Sequence, residues 1–202
     1  MFWPLIRRLW CIGNDEIPLG LHLAVMAHTY GVMKDRTLVP ATTDSLELGI
    51  AFAEQHRAPL CTGSDSARDP LTELQGKYLI KESKRFSNFH DLGSVLNAIQ
   101  EVRAFQRYIE ANRSQLDGVI IVCEAFQARR MRLICRRILK VPFYVQTFES
   151  QWPAGNWNPW HDSKLKWLAV NVAAFYATWI LGVERLEKKQ VGGLKAIDRT
   201  EK

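Results

Sequence analysis

The run Val119-Ile-Ile-Val-Cys123 constrains this chain more than any other stretch. Five consecutive apolar residues, punctuated in front by Asp117-Gly118, have the pattern of a buried strand. The next segment, 125–139, places Met131, Ile134, Cys135 and Ile138 on one helical stripe. A strand buried on both faces belongs inside a sheet with helices above and below it.

The same alternation extends along the chain. Leu19 to His28 is mainly apolar and closed by Thr-Tyr-Gly, which predicts a first strand. Leu46, Ile50 and Ala53 predict a helix over 43–56, with Thr42, Thr43 or Asp44 as its cap. A short strand over 58–64 comes after it, then a helix over 71–82 carrying Leu71, Leu74, Tyr78 and Leu79. Residues 84–89 read as a brief strand or a loop, and 92–111 as a long amphipathic helix through Val95, Leu96, Ile99, Val102, Phe105 and Ile109. Pro142 to Phe148 supplies another strand, and a loop rich in Trp, Pro, Gly and Asn over 151–162 leads to an apolar segment at 167–182. Parallel neighbours need long crossovers, so strands alternating with helices predict an α/β fold, a Rossmann-like three-layer sandwich with a mostly parallel sheet. It spans 19–182, between an N-terminal extension (1–18) and a polar C-terminal tail (183–202).

At 202 residues the chain can bury a sizeable core as one domain without disulfide or metal staples. Its 27 Lys and Arg against 21 Asp and Glu leave +6, which favours an anionic ligand and is too little for a nucleic-acid partner. Cys11, Cys61, Cys123 and Cys135 form no C-x-x-C pair and no zinc spacing; the reading is reduced thiols in a cytoplasmic protein, Cys61 and Cys123 in the core, and no metal site. The first ten residues lack the long apolar stretch of a secretion signal, and Arg7 and Arg8 among aromatics allow peripheral contact with an anionic membrane. The segment 167–182, interrupted by Asn171, is short for a membrane span and reads as a buried terminal helix.

Ligands of open α/β sheets bind outside the carboxyl ends of the strands, which directs attention to 28–31, 62–65, 87–94, 124–130 and 148–152. No G-x-G-x-x-G comes after the first strand, and neither a Walker loop nor a G-x-S-x-G elbow is present. Thr62-Gly63-Ser64-Asp65 is a small polar turn able to approach a phosphate or ribose. Glu124, Gln127 and Arg130 come directly after the best strand and open a helix, near a partly positive helix end. On that helix Arg130 borders the apolar stripe, whereas Arg129, Arg132, Arg136 and Lys140 form a solvated face. Among the histidines, His22 lies within the first strand and His28 at its end. His90 is a cap or ligand contact, and His161 sits in a loop whose tryptophans pin it to the core or close over an aromatic ligand.

In order and spacing these pieces resemble the YdcF-like family, which includes the SanA and ElyC proteins and has a Rossmann-like domain of unknown function. Thr62-Gly63-Ser64 resembles its Ser-Gly-Gly turn, and Glu73 the acid opening the next helix. Ser94-Val-Leu-Asn97 resembles its Thr-x-Glu-Asn, with Leu96 in the Glu place. Val122 to Arg130 resembles its Val-Thr-Ser to His-x-x-Arg segment, with Gln127 in the His place. The resemblance implies a small anionic or nucleotide-like ligand at the strand ends, such as S-adenosylmethionine or a nucleotide, and a transferase or hydrolase. Clustered at one predicted edge of the sheet, Thr29, Thr62, Gly63 and Ser64 are the expected cradle, Asn97, Glu124 and Gln127 polar contacts, and Arg130 the anion partner. Losing the His and the Glu removes two proton-moving groups, and so gives weight to binding without turnover. The alternative is a non-catalytic or envelope-associated interaction protein using the Trp-rich loop and the basic helix.

Overall fold

In the computed structural model, residues 3–31, 33, 35, 37–65, 86, 88–95, 97–152, 154–155 and 162–186 are described. Five strands, β1 (Leu23–Ala27), β2 (Leu60–Asp65), β3 (Phe89–Val95), β4 (Gly118–Glu124) and β5 (Phe143–Phe148), form one sheet in the order β3-β2-β1-β4-β5. Every neighbouring pair is parallel, so the fold is the expected Rossmann-like α/β sandwich. Helices α1 (Trp3–Trp10), α2 (Pro40–His56), α3 (Ala98–Ala111), α4 (Ala128–Ile138) and α5 (Lys164–Leu181) surround it.

Strand alternation sorts the core onto two faces. Leu23, Val25, Ala27, Leu60, Ile120 and Val122 pack with Leu46 and Ala53 of α2. Ala24, Met26, Cys61, Ile121, Cys123 and Val145 face the other way, against Ile99, Val102 and Phe105 of α3 and Met131, Ile134 and Cys135 of α4. Burying each of the larger side chains contributes about 1.5–3 kcal/mol, in keeping with a β1 that is apolar throughout and a β4 that is apolar from Val119 to Cys123. All four cysteines are free thiols, and Cys61, Cys123 and Cys135 are buried.

Several boundaries differ from the sequence reading. The first strand covers 23–27 rather than 19–28, leaving His22 exposed in front of it. The helix expected from 92 starts at 98, because 89–95 pairs with β2 as a strand and finds its hydrogen bonds there. Gly93 at φ +81° breaks helical backbone, and Asn97 closes the cap by accepting from the amides of Ile99 (3.0 Å) and Gln100 (3.1 Å). The helix after β4 starts at 128, the chain making a turn over 125–127 first. The helix expected over 71–82 and most of the Trp-rich loop lie outside the described residues.

The stretch 1–18 set apart as an extension is docked on the domain. Asp15 donates its amide to the Val145 carbonyl (3.0 Å), its Oδ2 accepts from the Val145 amide (2.8 Å), and Asn14 Oδ1 accepts from the Thr147 amide (2.7 Å). These bonds cover the outer edge of β5, which would otherwise be a template for pairing with another chain. The terminal segment 167–182 is not buried all round: α5 hides Trp167, Leu168, Asn171 and Thr178 and exposes its opposite face. Among the described residues no helix is long and apolar enough to cross a membrane.

Candidate functional site

The chain leaves β1 in one direction to reach β2 and β3, and returns to its other side with β4. The strand order therefore reverses between β1 and β4, and their carboxyl ends frame the crevice typical of such sheets. His28 comes just after β1 there, held by its amide on the Val122 carbonyl (3.1 Å). Its Nδ1 is hydrogen-bonded to Glu101 Oε2, and its Nε2 lies 2.9 Å from Gln127 Nε2. All three residues are buried. A carboxylate at Nδ1 favours a ring proton on that nitrogen, which leaves Nε2 to accept from the Gln127 amide.

Each member of this line is positioned by its element. Glu101 occupies the first turn of α3, where the helix dipole favours a negative charge, and its Oε1 accepts the Gly63 amide (3.2 Å). A β-carbon on Gly63 would stand 2.5 Å from Val95 Cγ2 and 3.2 Å from Glu101 Oε1, so the close approach of β2 to this carboxylate requires glycine. Gln127 ends the turn after β4 and brings its amide back over the end of β1.

Beside this line lies a second buried carboxyl. Glu124 Oε2 accepts from the Phe126 amide (2.8 Å) and the Trp167 indole (2.8 Å), while Oε1 is buried without a hydrogen bond. Burial is the largest influence on its pKa, outweighing both hydrogen bonds and raising it to about 7. Tyr30 links the two groups: its hydroxyl accepts the Glu124 amide, and its ring stands edge-on to His28 with centroids 4.9 Å apart. Trp152 and Trp167 stack at 4.5 Å and close this corner from outside.

The structure therefore brings together Gly63, Glu124 and Gln127 of the expected site residues. Thr62 turns its hydroxyl to the Ala27 carbonyl (2.9 Å) and Asn97 uses Oδ1 on the helix cap, so both hold the fold. Thr29 is half-buried, and Ser64 belongs to β2 with a side chain outside the described residues. Arg130 lies in the first turn of α4, half-buried, with Nε unpartnered and its pKa pushed down to about 10 by desolvation. His90 lies on β3 against the ring of Tyr108, at 4.4 Å.

Sequence reasoning missed Glu101 and its pairing with His28. One signal was present: Glu101 falls at the border of the apolar stripe Ala98, Val102, Phe105 and Ile109, where a solvated acid is out of place. An imidazole and a carboxylate are thus both at the crevice, supplied by His28 and Glu101. A histidine backed by a carboxylate is the usual arrangement of a general base. Here the Gln127 amide occupies the position beside Nε2 that a substrate's acidic proton would take.

The basic helix is less solvated than expected. Arg129 donates to the Leu9 carbonyl (2.8 Å) and the Trp10 carbonyl (2.5 Å), and Arg132 pairs with Asp15 at 2.7 Å. At the opposite, amino ends of the strands, a cavity of about 660 Å³ is lined by His22, His56, Arg57, Tyr108, Asn112 and Asp117 among others. No known family's sequence profile matches this chain, and no curated protein matches it significantly.

Proposed function

We propose that this chain binds a small anionic or nucleotide-like ligand at the carboxyl ends of β1 and β4, and moves a proton there through the Glu101–His28 pair once the ligand takes the place of the Gln127 amide at Nε2, as a hydrolase or transferase does. The observation that carries this reading is the buried line Glu101–His28–Gln127 at the reversal point of the strand order. Arg130, with an unpartnered Nε close to the α4 N-terminus, supports the anionic character of the ligand, as does the +6 charge of the chain. The motif order along the sequence supports membership of the YdcF-like family, with S-adenosylmethionine or a nucleotide among the ligands to try. In this reading the imidazole and carboxylate offset the absence of the family's own His and Glu.

The test is a thermal-shift screen against S-adenosylmethionine, S-adenosylhomocysteine, nucleotides and sugar phosphates, since a ligand specific to the native state raises its stability by mass action. A shift that Arg130→Ala weakens by about 1.5–3 kcal/mol of binding supports the anion partner. For any turnover found with that ligand, His28→Ala is expected to lower kcat about 100- to 10,000-fold. No shift with any compound, or turnover indifferent to His28, overturns the reading.

A further inference from the structure

Among the described residues, every exposed large apolar side chain except Leu19 stands on α1 or α5. On α5, Leu165 (65% exposed), Tyr176 (50%), Trp179 (59%) and Ile180 (68%) share one side with Ala169 and Ala173. At 100° per residue these positions fall within an arc of about 120°, opposite the buried Trp167, Asn171 and Thr178. α1 lies alongside, its Trp10 ring edge-on to Phe175 at 5.6 Å, with Leu5 and Leu9 more than half exposed. A helix apolar on both sides is normally covered on both.

We infer that this face is covered by a second copy of the chain, packed through α5 against α5 antiparallel about a two-fold axis. The stripe complements itself in that arrangement. With the axis between Val172 and Ala173, Leu165 of one copy meets Ile180 of the other, and the bulky Tyr176 meets the small Ala169. The charges agree as well. Lys164 and Lys166 stand at the positive end of the α5 dipole, the first turn has no acid and the last turn has no base, which is unfavourable for an isolated helix. In the antiparallel pair Lys166, at the edge of the stripe, lies against the carbonyl end of the partner helix and its Glu184, whereas Lys164 stands on the Glu124 side of its own chain. Lys166 also bonds Asp162 (2.9 Å), and Glu184 is 4.0 Å from Arg103; the lysine bond and the glutamate both lie at the rim of the stripe. Taking about 200 Å² for a large apolar side chain, the four exposed on α5 offer on the order of 500 Å², and Leu5 and Leu9 on the adjoining α1 bring the patch to on the order of 700 Å², against roughly 800 Å² per partner in a standard interface.

The test is sedimentation of the full chain over a range of concentrations. A dimer of twice 23.2 kDa is expected, with Ala169→Arg raising its dissociation constant about tenfold or more. Ala169 is solvent-exposed in the single chain, so the circular dichroism of that variant should be unchanged. Mixing Leu165→Cys with Ile180→Cys chains is expected to give a cross-linked dimer under mild oxidation, in higher yield than either variant alone. The inference is overturned by a monomer at every concentration, by a dimer indifferent to Ala169→Arg, or by cross-linking strongest in Leu165→Cys alone. It is equally overturned by a monomer whose only association is with anionic vesicles and is lost in Trp179→Glu.

Discussion

The two ends of the sheet solve opposite problems. At the carboxyl ends, His28, Glu101, Glu124 and Gln127 are buried, and each depends on a partner for the hydrogen bonds that water would otherwise supply. At the amino ends, His22 and Asp117 border an open polar cavity, their backbone and side chain joined by a 2.9 Å bond at an exposed site. Polar residues are common at both ends; only at one does burial make them interdependent. That is what distinguishes a built site from a polar surface in a chain like this, and it sets the scale of what substitutions do.

The largest effect is expected where one buried acceptor serves two donors. Glu101→Ala leaves His28 Nδ1 and the Gly63 amide without their acceptor, and is expected to destabilise the fold by about 2–5 kcal/mol in urea unfolding. Glu101→Gln, which keeps an acceptor, should lose less; equal losses would mean the charge is irrelevant.

Glu124 gives the second contrast through pH. Its folded pKa of about 7 lies above the ordinary carboxyl value of 4.5, so the folded chain keeps a proton that the unfolded chain releases. Stability contributed by this group is therefore present below about pH 4.5 and is lost as pH rises to about 7, by up to roughly 3 kcal/mol. Unfolding midpoints across that range should fall less steeply in Glu124→Gln. A parallel pH dependence in the two proteins would assign the proton elsewhere.

Gly63→Ala is expected to cost about 1–3 kcal/mol, because its methyl group meets Val95 and the Glu101 carboxylate. A neutral result would show that β2 can retreat from the dyad. The smallest effect belongs to the other end of the sheet. Arg57 closes α2 in the left-handed region, φ +50° and ψ +37°, a conformation glycine adopts without strain. Arg57→Gly should be neutral or stabilising by up to about 1 kcal/mol in thermal unfolding, and a marked loss would mean that its side chain is held in the cavity.

The layered fold was legible because its signal is local: an unbroken apolar strand beside a helical stripe needs no knowledge of what lies across the sheet. Gln127 and Glu124 could be placed by the same logic, as residues immediately after the best strand. His28 pairing with Glu101 could not, since 73 residues separate them and the contact exists only once α3 is laid against the sheet. The start of α3 was misread because Val95 continues the helical spacing of Ile99 and Val102. Its strand partner, Asp65, is remote in sequence. Likewise the apolar 167–182 segment predicted burial correctly for one face, and its sequence alone did not tell which face the fold would leave open.

The bonds from Asn14 and Asp15 to β5 also bear on how the chain is made. Asp15 leaves the ribosome early, yet the residue it serves, Val145, emerges 130 positions later. At about 5–20 residues per second, the delay is on the order of ten seconds. β1 waits similarly for β4, which supplies its second neighbour in the sheet. The central strand of the sheet is thus made well before one of its two neighbours, and in the interval helix α2 is the element able to cover its face of Leu23, Val25 and Ala27.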